Sequence, residues 1–253
     1  MNHLLYPMHN IADVHIGAMP LPPEDHREVE LPDAHARKQF AFFEAMNHPH
    51  FGMTARVDVA PLLAFAKTGG HSLNRLCVHA VSSAANAVPA FRRRVRYRDA
   101  DESRDEVRGV GAAYVVEHAR VHPSYAVTSA ASEAFSFCEV GFAEVWGVFA
   151  EAAAAVEEAA QAAPSFEDAP GRDDYLFLSA IPWVHFTGLE HAMHYHPHDS
   201  VPRITWGKVL REGARAWLPV SVQAHHAVVD GRAMGAFYEA LERYVGGLGV
   251  EEG

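Results

Sequence analysis

The chain has 253 residues and a formal net charge of −11, from 21 Lys plus Arg against 32 Asp plus Glu. Hydrophobic residues make up 49% and charged residues 21%, the balance of a folded domain and not of a disordered chain. The acidic surplus argues against non-specific nucleic-acid binding, which needs a positive surface, but a small anionic ligand stays open because local basic groups could serve it.

No run reaches the roughly 18 apolar residues that a membrane span requires. The longest weakly charged stretch, Val140 to Val156, is broken by Glu144 and Glu151. The opening segment has no basic region followed by an unbroken apolar run, so a secretory signal is not expected. Cys77 and Cys138 lie in apolar surroundings far apart in sequence, and read as reduced, buried residues of a cytoplasmic protein.

Residues 1–32 carry Pro7, Pro20, Pro22, Pro23 and Pro32 and read as an extended N-terminal lead-in ahead of a single domain over 33–250. A helix is predicted from Asp33, which can cap it, with Ala36, Phe40 and Phe43 on one apolar side. Met53 to Val59 reads as a strand that enters a helix with Pro61 in its first turn, stopped by Thr68-Gly69-Gly70. Ser72 to Val88 has helical spacing through Leu73, Leu76, Cys77, Ala80 and Ala84. Phe91 to Tyr97 is an arginine-rich strand, followed by a charged turn over 99–106. Two further strands are predicted in GVGAAYVVEH and YAVTSA, and FSFCEV is a third strand or a helix approach.

An Ala-rich helix is predicted over Gly141 to Ala163, and a loop with Pro164 and Pro170 follows. Beyond it come strand candidates in YLFLS, WVHFT, ITWGKVL and AWLPVSVQAHH, the last two joined as a hairpin with a longer loop. The terminal helix is predicted from about Arg232 to Tyr244. Neither GxGxxG nor GxxxxGK[ST] occurs, so nucleotide-phosphate cradles of those types are not supported. Strands and helices mix without a regular βαβ rhythm, which points to an α+β fold: a mixed sheet flanked by helices.

The stretch richest in chemistry is residues 223–244, where a strand ends at His225-His226 and Asp230-Gly231 follows before an amphipathic helix. A histidine held in a tight turn at a strand end suits a general base, because its ordinary pKa lies near neutrality. The bland reading is that Asp230 only caps the helix, Gly231 only turns the chain and the histidines are satisfied core residues.

HHAVVDG resembles the signature of the chloramphenicol acetyltransferase family, within the wider superfamily of CoA-dependent acyltransferases. The segments LSAIPWVHFTGL (178–189), RITWGKV (203–209) and WLPVSVQAHHAVVDG resemble further family blocks in the same order. HARKQFAFF and NAVPAFRRRV resemble upstream ones, so the resemblance runs from about residue 33 to 245.

The resemblance implies the family's α+β fold and an O-acetyltransferase using acetyl-CoA as cosubstrate, with chloramphenicol as the default acceptor alcohol. By that resemblance His226 is the general base, Ser179 the oxyanion donor and Thr205 the group that orients the tetrahedral intermediate. Asp230 pairs with an arginine, for which Arg37 is the candidate, and holds the active-site backbone. Lys208 lies near the CoA phosphates. Phe51 is a wall of the acceptor pocket. Family members are homotrimers with each site shared between subunits, and no metal is implied.

His191 falls where the chloramphenicol enzymes carry an aliphatic residue, so the acceptor is open to being another alcohol. The tract from His191 to His198 holds four histidines, which leaves metal binding as a compositional alternative. Two other functions fit the same residues: transfer to a lipoyl or carrier-bound group, and ligand binding without turnover.

Overall fold

The computed structural model describes residues 21–98, 111–129, 132–164, 171–194 and 198–248. The charged turn predicted over 99–106 lies outside them, as do most of the lead-in, residues 165–170 of the Pro164–Asp174 loop, and 195–197 of the histidine tract.

The chain opens with β1 (His26–Glu28), α1 (Ala34–Glu44), β2 (His50–Asp58), α2 (Ala60–Gly69) and α3 (Leu73–Asn86). A short 3-10 turn (Pro89–Arg92) leads to β3 (Arg93–Tyr97), β4 (Ala113–His118), β5 (His122–Ser129) and β6 (Ser132–Glu139). The second half holds α4 (Trp146–Ala162), β7 (Tyr175–Ala180), β8 (Arg203–Trp206), β9 (Leu210–Glu212), β10 (Arg215–His225) and α5 (Gly231–Gly247). A seven-stranded mixed sheet runs β2-β10-β8-β7-β5-β6, with β9 added to β10; a small sheet runs β1-β4-β3. The α+β reading is therefore correct. β1 falls inside the lead-in, and it pairs antiparallel with β4 through His26↔His118 and Glu28↔Val116.

Strand β10 organises the large sheet. Its even-numbered residues Ala216, Leu218, Val220, Val222 and Ala224 are buried in the main core beside Leu76, Phe237 and Leu241 of α3 and α5. The odd-numbered Ser221, Gln223 and His225 point to the other face, as strand alternation requires. Caps are where the sequence places them: Asp33 accepts from Ala36 N–H, Ser72 from Arg75 N–H and Asp230 from Ala233 N–H.

Several predicted boundaries shift. WVHFT is not a strand: Pro182 opens a turn, and Trp183 stands 77% exposed. ITWGKVL splits into β8 and β9 at Gly207. A Cβ there would lie 2.6 Å from the Val184 carbonyl oxygen and 2.8 Å from Pro219, so only glycine fits. The β9–β10 hairpin closes on two residues, Gly213-Ala214, shorter than the longer loop expected, since Arg215 pairs with Glu212. Gly213 has φ +62, the left-handed first position that tight hairpins favour. The Ala-rich helix begins at Trp146 and not at Gly141, while FSFCEV is strand β6 up to Glu139.

An ion network ties the two sheets together. Arg94 is fully buried and donates to the carbonyls of Phe91, Arg93, Asp173 and Tyr175 at 2.6–3.0 Å. Beside it, the Asp173 carboxylate accepts from Arg96 at 2.6 and 2.9 Å and from the buried His118 at 2.8 Å. Burial raises the Asp173 pKa, but the Arg96 and His118 hydrogen bonds and the Arg94 charge outweigh it and hold the carboxyl far below the usual carboxylate range. An acid whose folded pKa is depressed contributes stability above its unfolded pKa of about 3.9 and loses it as pH falls below that value. Asp173→Asn is expected to lower unfolding free energy by about 2–3 kcal/mol near neutrality, with a smaller loss in acid. Denaturant titrations at pH 7 and pH 3 check this, and an unchanged pH 7 midpoint would contradict it.

Candidate active site

The turn after β10 positions His226. Its backbone N–H donates to the Pro49 carbonyl at 2.8 Å, fixing the turn against the entry to β2. Its ring is stacked between Phe43 of α1, centroids 3.9 Å apart, and Phe51 of β2, 4.3 Å apart. Its Nδ1 lies 3.2 Å from the Val229 carbonyl oxygen. A carbonyl only accepts, so Nδ1 carries the proton, and Nε2 of the neutral ring is left as the basic atom. His225, by contrast, is fully buried and accepts from the Ala227 N–H through Nδ1. Its ring packs among those of His50 and His198, so the second histidine of the pair is the one placed for chemistry.

The polar face of the sheet carries a row of hydroxyls. Register aligns Ser179 of β7 with Thr205 of β8, Thr205 with Ser221 of β10, and Ser221 with Thr54 of β2. Thr54 donates to Ser221 at 3.0 Å, and Ser221 donates to the Leu189 carbonyl at 3.3 Å. Thr205 is fully buried and its Oγ1 lies 3.0 Å from His191 Nε2. The His191 N–H donates to Gln223 Oε1 at 2.7 Å. The 189–191 segment is thus stapled to the row at three points. Ser179 is half-buried and its hydroxyl has no partner among the described residues.

Phe51 therefore sits against the His226 ring, and His191 against Thr205. Asp230 does not meet Arg37. Its carboxylate accepts from Ala233 N–H at the start of α5, while Arg37 donates to the Leu31 carbonyl at 3.4 Å. The expected pairing is corrected in this chain: the helix N-terminus takes the carboxylate, and the arginine turns to the segment ahead of α1. Lys208 is exposed; its backbone holds the Trp183–His185 turn through Val184 and His185.

One chain does not bring His226 and Ser179 together. His226 lies five residues beyond Ser221 on β10, roughly 17 Å along the strand, and Ser179 is two strands to the side. Phe43, Thr54, Ser221 and Gln223 complete the arrangement and were not singled out from the sequence. The alternation in SVQAHH was the available signal for Ser221 and Gln223, since polar residues at every second position mark the face turned away from the apolar core.

Among the described residues, one metal-like convergence of ligand atoms occurs, at Glu24, His118 and Asp173. The Arg96 guanidinium already bonds both carboxylates there, so the site holds a cation of its own. Within the histidine tract, His191 turns to Thr205, while the His198 ring packs beside His50 and His225. No described helix is long and apolar enough to cross a membrane.

The model of the chloramphenicol acetyltransferase family matches residues 25–242. A chloramphenicol acetyltransferase of Klebsiella sp is 24% identical over 220 residues, spanning 85% of this chain and 92% of that protein. Chloramphenicol acetyltransferase 2 of Escherichia coli is 25% identical over 215 residues, spanning 85% and 94%. Among solved structures, a chloramphenicol acetyltransferase superposes with a TM-score of 0.69 at 20% identity, covering 88% of this chain and all of the other. A probable dihydrolipoamide acetyltransferase from Listeria monocytogenes gives 0.57 at 16% identity, covering 89% and 97%. The fold and the family match together define an acyltransferase. The chain belongs to the chloramphenicol acetyltransferase family.

Burial, and secondarily the charge of Arg203, hold the His191 pKa down to about 4. Its stabilising contribution is complete above the unfolded value near 6.5 and is lost as pH falls from there toward 4, because the unfolded chain then binds the extra proton. NMR titration is expected to leave the His191 ring unshifted from pH 8 to 5. A midpoint above pH 6 would contradict its burial against Thr205.

Proposed function

We propose that the protein is an acetyl-CoA-dependent O-acetyltransferase in which His226 is the general base. The observation that carries this reading is the fixed state of that ring: clamped between Phe43 and Phe51, with Nδ1 committed to the Val229 carbonyl. Nε2 takes the proton of an acceptor hydroxyl as its oxygen attacks the thioester carbonyl. The tetrahedral intermediate collapses, the C–S bond breaks, and the proton passes from the imidazolium to the CoA thiolate. Transfer is direct within a ternary complex and needs no acyl-enzyme. Ser179 donates to the oxyanion, and its unengaged hydroxyl suits that task. Thr205 orients the intermediate, in concert with the His191 ring bound to it.

The separation of His226 from Ser179 in one chain supports a shared site, with the base from one subunit and the serine row from its neighbour in a homotrimer. In this reading Lys208 meets the CoA phosphates, and its exposure beside Trp183 and Val184 supports that. Asp230 acts by fixing the turn behind the base. Chloramphenicol is the default acceptor. The single domain spans 33–250, with 1–32 as its N-terminal extension. The free, buried Cys77 and Cys138, their thiol pKa values pushed up by burial to about 12, fit a cytoplasmic location.

Thiol release from acetyl-CoA with chloramphenicol tests the reading. His226→Ala is expected to lower kcat by about 10²–10⁴-fold and Ser179→Ala by about 10²–10³-fold. Equal rates in wild type and His226→Ala would end the case for the base. Separately, the two inactive variants unfolded and refolded together are expected to regain part of the activity, because some interfaces then combine an intact histidine with an intact serine. No recovery, with mixed oligomers demonstrated, would contradict the shared site.

A further inference from the structure

The His226 ring lies against two phenyl faces. Phe43 of α1 stacks on it with centroids 3.9 Å apart and planes inclined by 20°. Phe51 of β2 stacks on it at 4.3 Å and 28°. The ring is half-buried, as are both phenylalanines.

A histidine that takes a proton becomes a cation, and the chain supplies this one with no counter-charge. Its Nδ1 meets the neutral carbonyl of Val229, not a carboxylate. Asp230, the next acid along the chain, is committed to the Ala233 N–H at the start of α5. On the flanking elements, Glu44 of α1 accepts from the Tyr97 hydroxyl, Arg37 donates to the Leu31 carbonyl, and His50 of β2 lies on the Asp199 carbonyl. Lys38 and His48 are exposed. Among the described residues, the histidines within ion-pair reach of a carboxylate are His26, His118 and His122, and His226 is not one of them.

The face of a phenyl ring carries the negative side of its quadrupole and attracts a cation within about 6 Å of the centroid. Phe43 and Phe51 both meet that condition. Neutral imidazole gains packing from the same faces, and imidazolium gains the electrostatic attraction in addition. An interaction that strengthens as charge develops lowers the barrier to forming that charge.

We propose that Phe43 and Phe51 act on the reaction through His226 as a paired cation–π clamp. The clamp stabilises the imidazolium from the moment Nε2 takes the acceptor proton until that proton passes to the CoA thiolate. The inference rests on His226 being the general base, and adds how the charge on it is borne. It also gives a purpose to aromatic residues on both flanking elements, where any apolar side chain would serve for packing alone.

The test places 4-fluoro-, 3,5-difluoro- and pentafluorophenylalanine at position 43 of the full-length protein. Fluorine withdraws electron density from the ring face while keeping its shape and apolar character. In single turnovers of acetyl-CoA with chloramphenicol, or with whichever alcohol the wild type accepts, the rate is expected to fall in step with fluorine content. The loss is about threefold with pentafluorophenylalanine at position 43, and about tenfold when position 51 carries it as well. The melting temperature and the KM for acetyl-CoA are expected to stay near their wild-type values. A flat series, or a rate that rises with fluorine content, would overturn the proposal. If the wild type releases no thiol with any alcohol, the acyl-transfer reading fails by itself, and NMR titration of the His226 ring decides the clamp. Half-protonation is expected about half a pH unit lower in the pentafluoro form than in the wild type. The same midpoint in both forms would overturn the clamp.

Discussion

The pairing register of β10 is the constraint on which the rest depends. Its antiparallel ladder to β2 runs from Trp217↔Asp58 to His225↔His50, and its ladder to β8 sets Ser221 opposite Thr205. A slip of one residue would exchange the two faces of the strand. Val220 and Val222 would then leave the core, and Ser221 and Gln223 would enter it without partners. The apolar face, packed under α3 and α5, thereby holds the hydroxyl row in place from behind. The same register delivers the chain to His226 at the one point where Phe43 and Phe51 can flank its ring.

Two kinds of histidine result from that geometry. His226 is half-buried, stacked, and has its proton fixed on Nδ1 by a carbonyl. His191 is pressed against Thr205 in a setting that penalises charge. The first has Nδ1 committed to a backbone carbonyl; the second is held off protonation by burial and serves as a hydrogen-bonding strut. Environment, not residue type, separates the two roles.

Much of this was legible in the sequence. The caps at Asp33, Ser72 and Asp230, the apolar spacing of α3 and α5, and the ending of β10 at a histidine pair all follow from local rules. What escaped had nonlocal causes. Trp183 and Val184 have strand-like composition, yet the turn at Pro182 and the ties to Lys208 hold that segment off the sheet. The break at Gly207 depends on how closely Val184 and Pro219 approach, which no local pattern encodes. Arg37 was a plausible partner for Asp230 by motif, but its position on α1 directs it to Leu31. Phe43 fits the apolar pattern of α1, and its place over the His226 ring is visible only once α1 and the end of β10 meet.

The account is tested most directly by a crystal structure of the assembled protein with CoA bound. It is expected to show His226 Nε2 of one subunit facing the CoA sulfur across a channel that also contains Ser179 of the next, with polar atoms within about 3 Å of the ring nitrogen. A His226 ring enclosed by its own subunit, with the sulfur and Ser179 in a separate cavity, would contradict the account at its root.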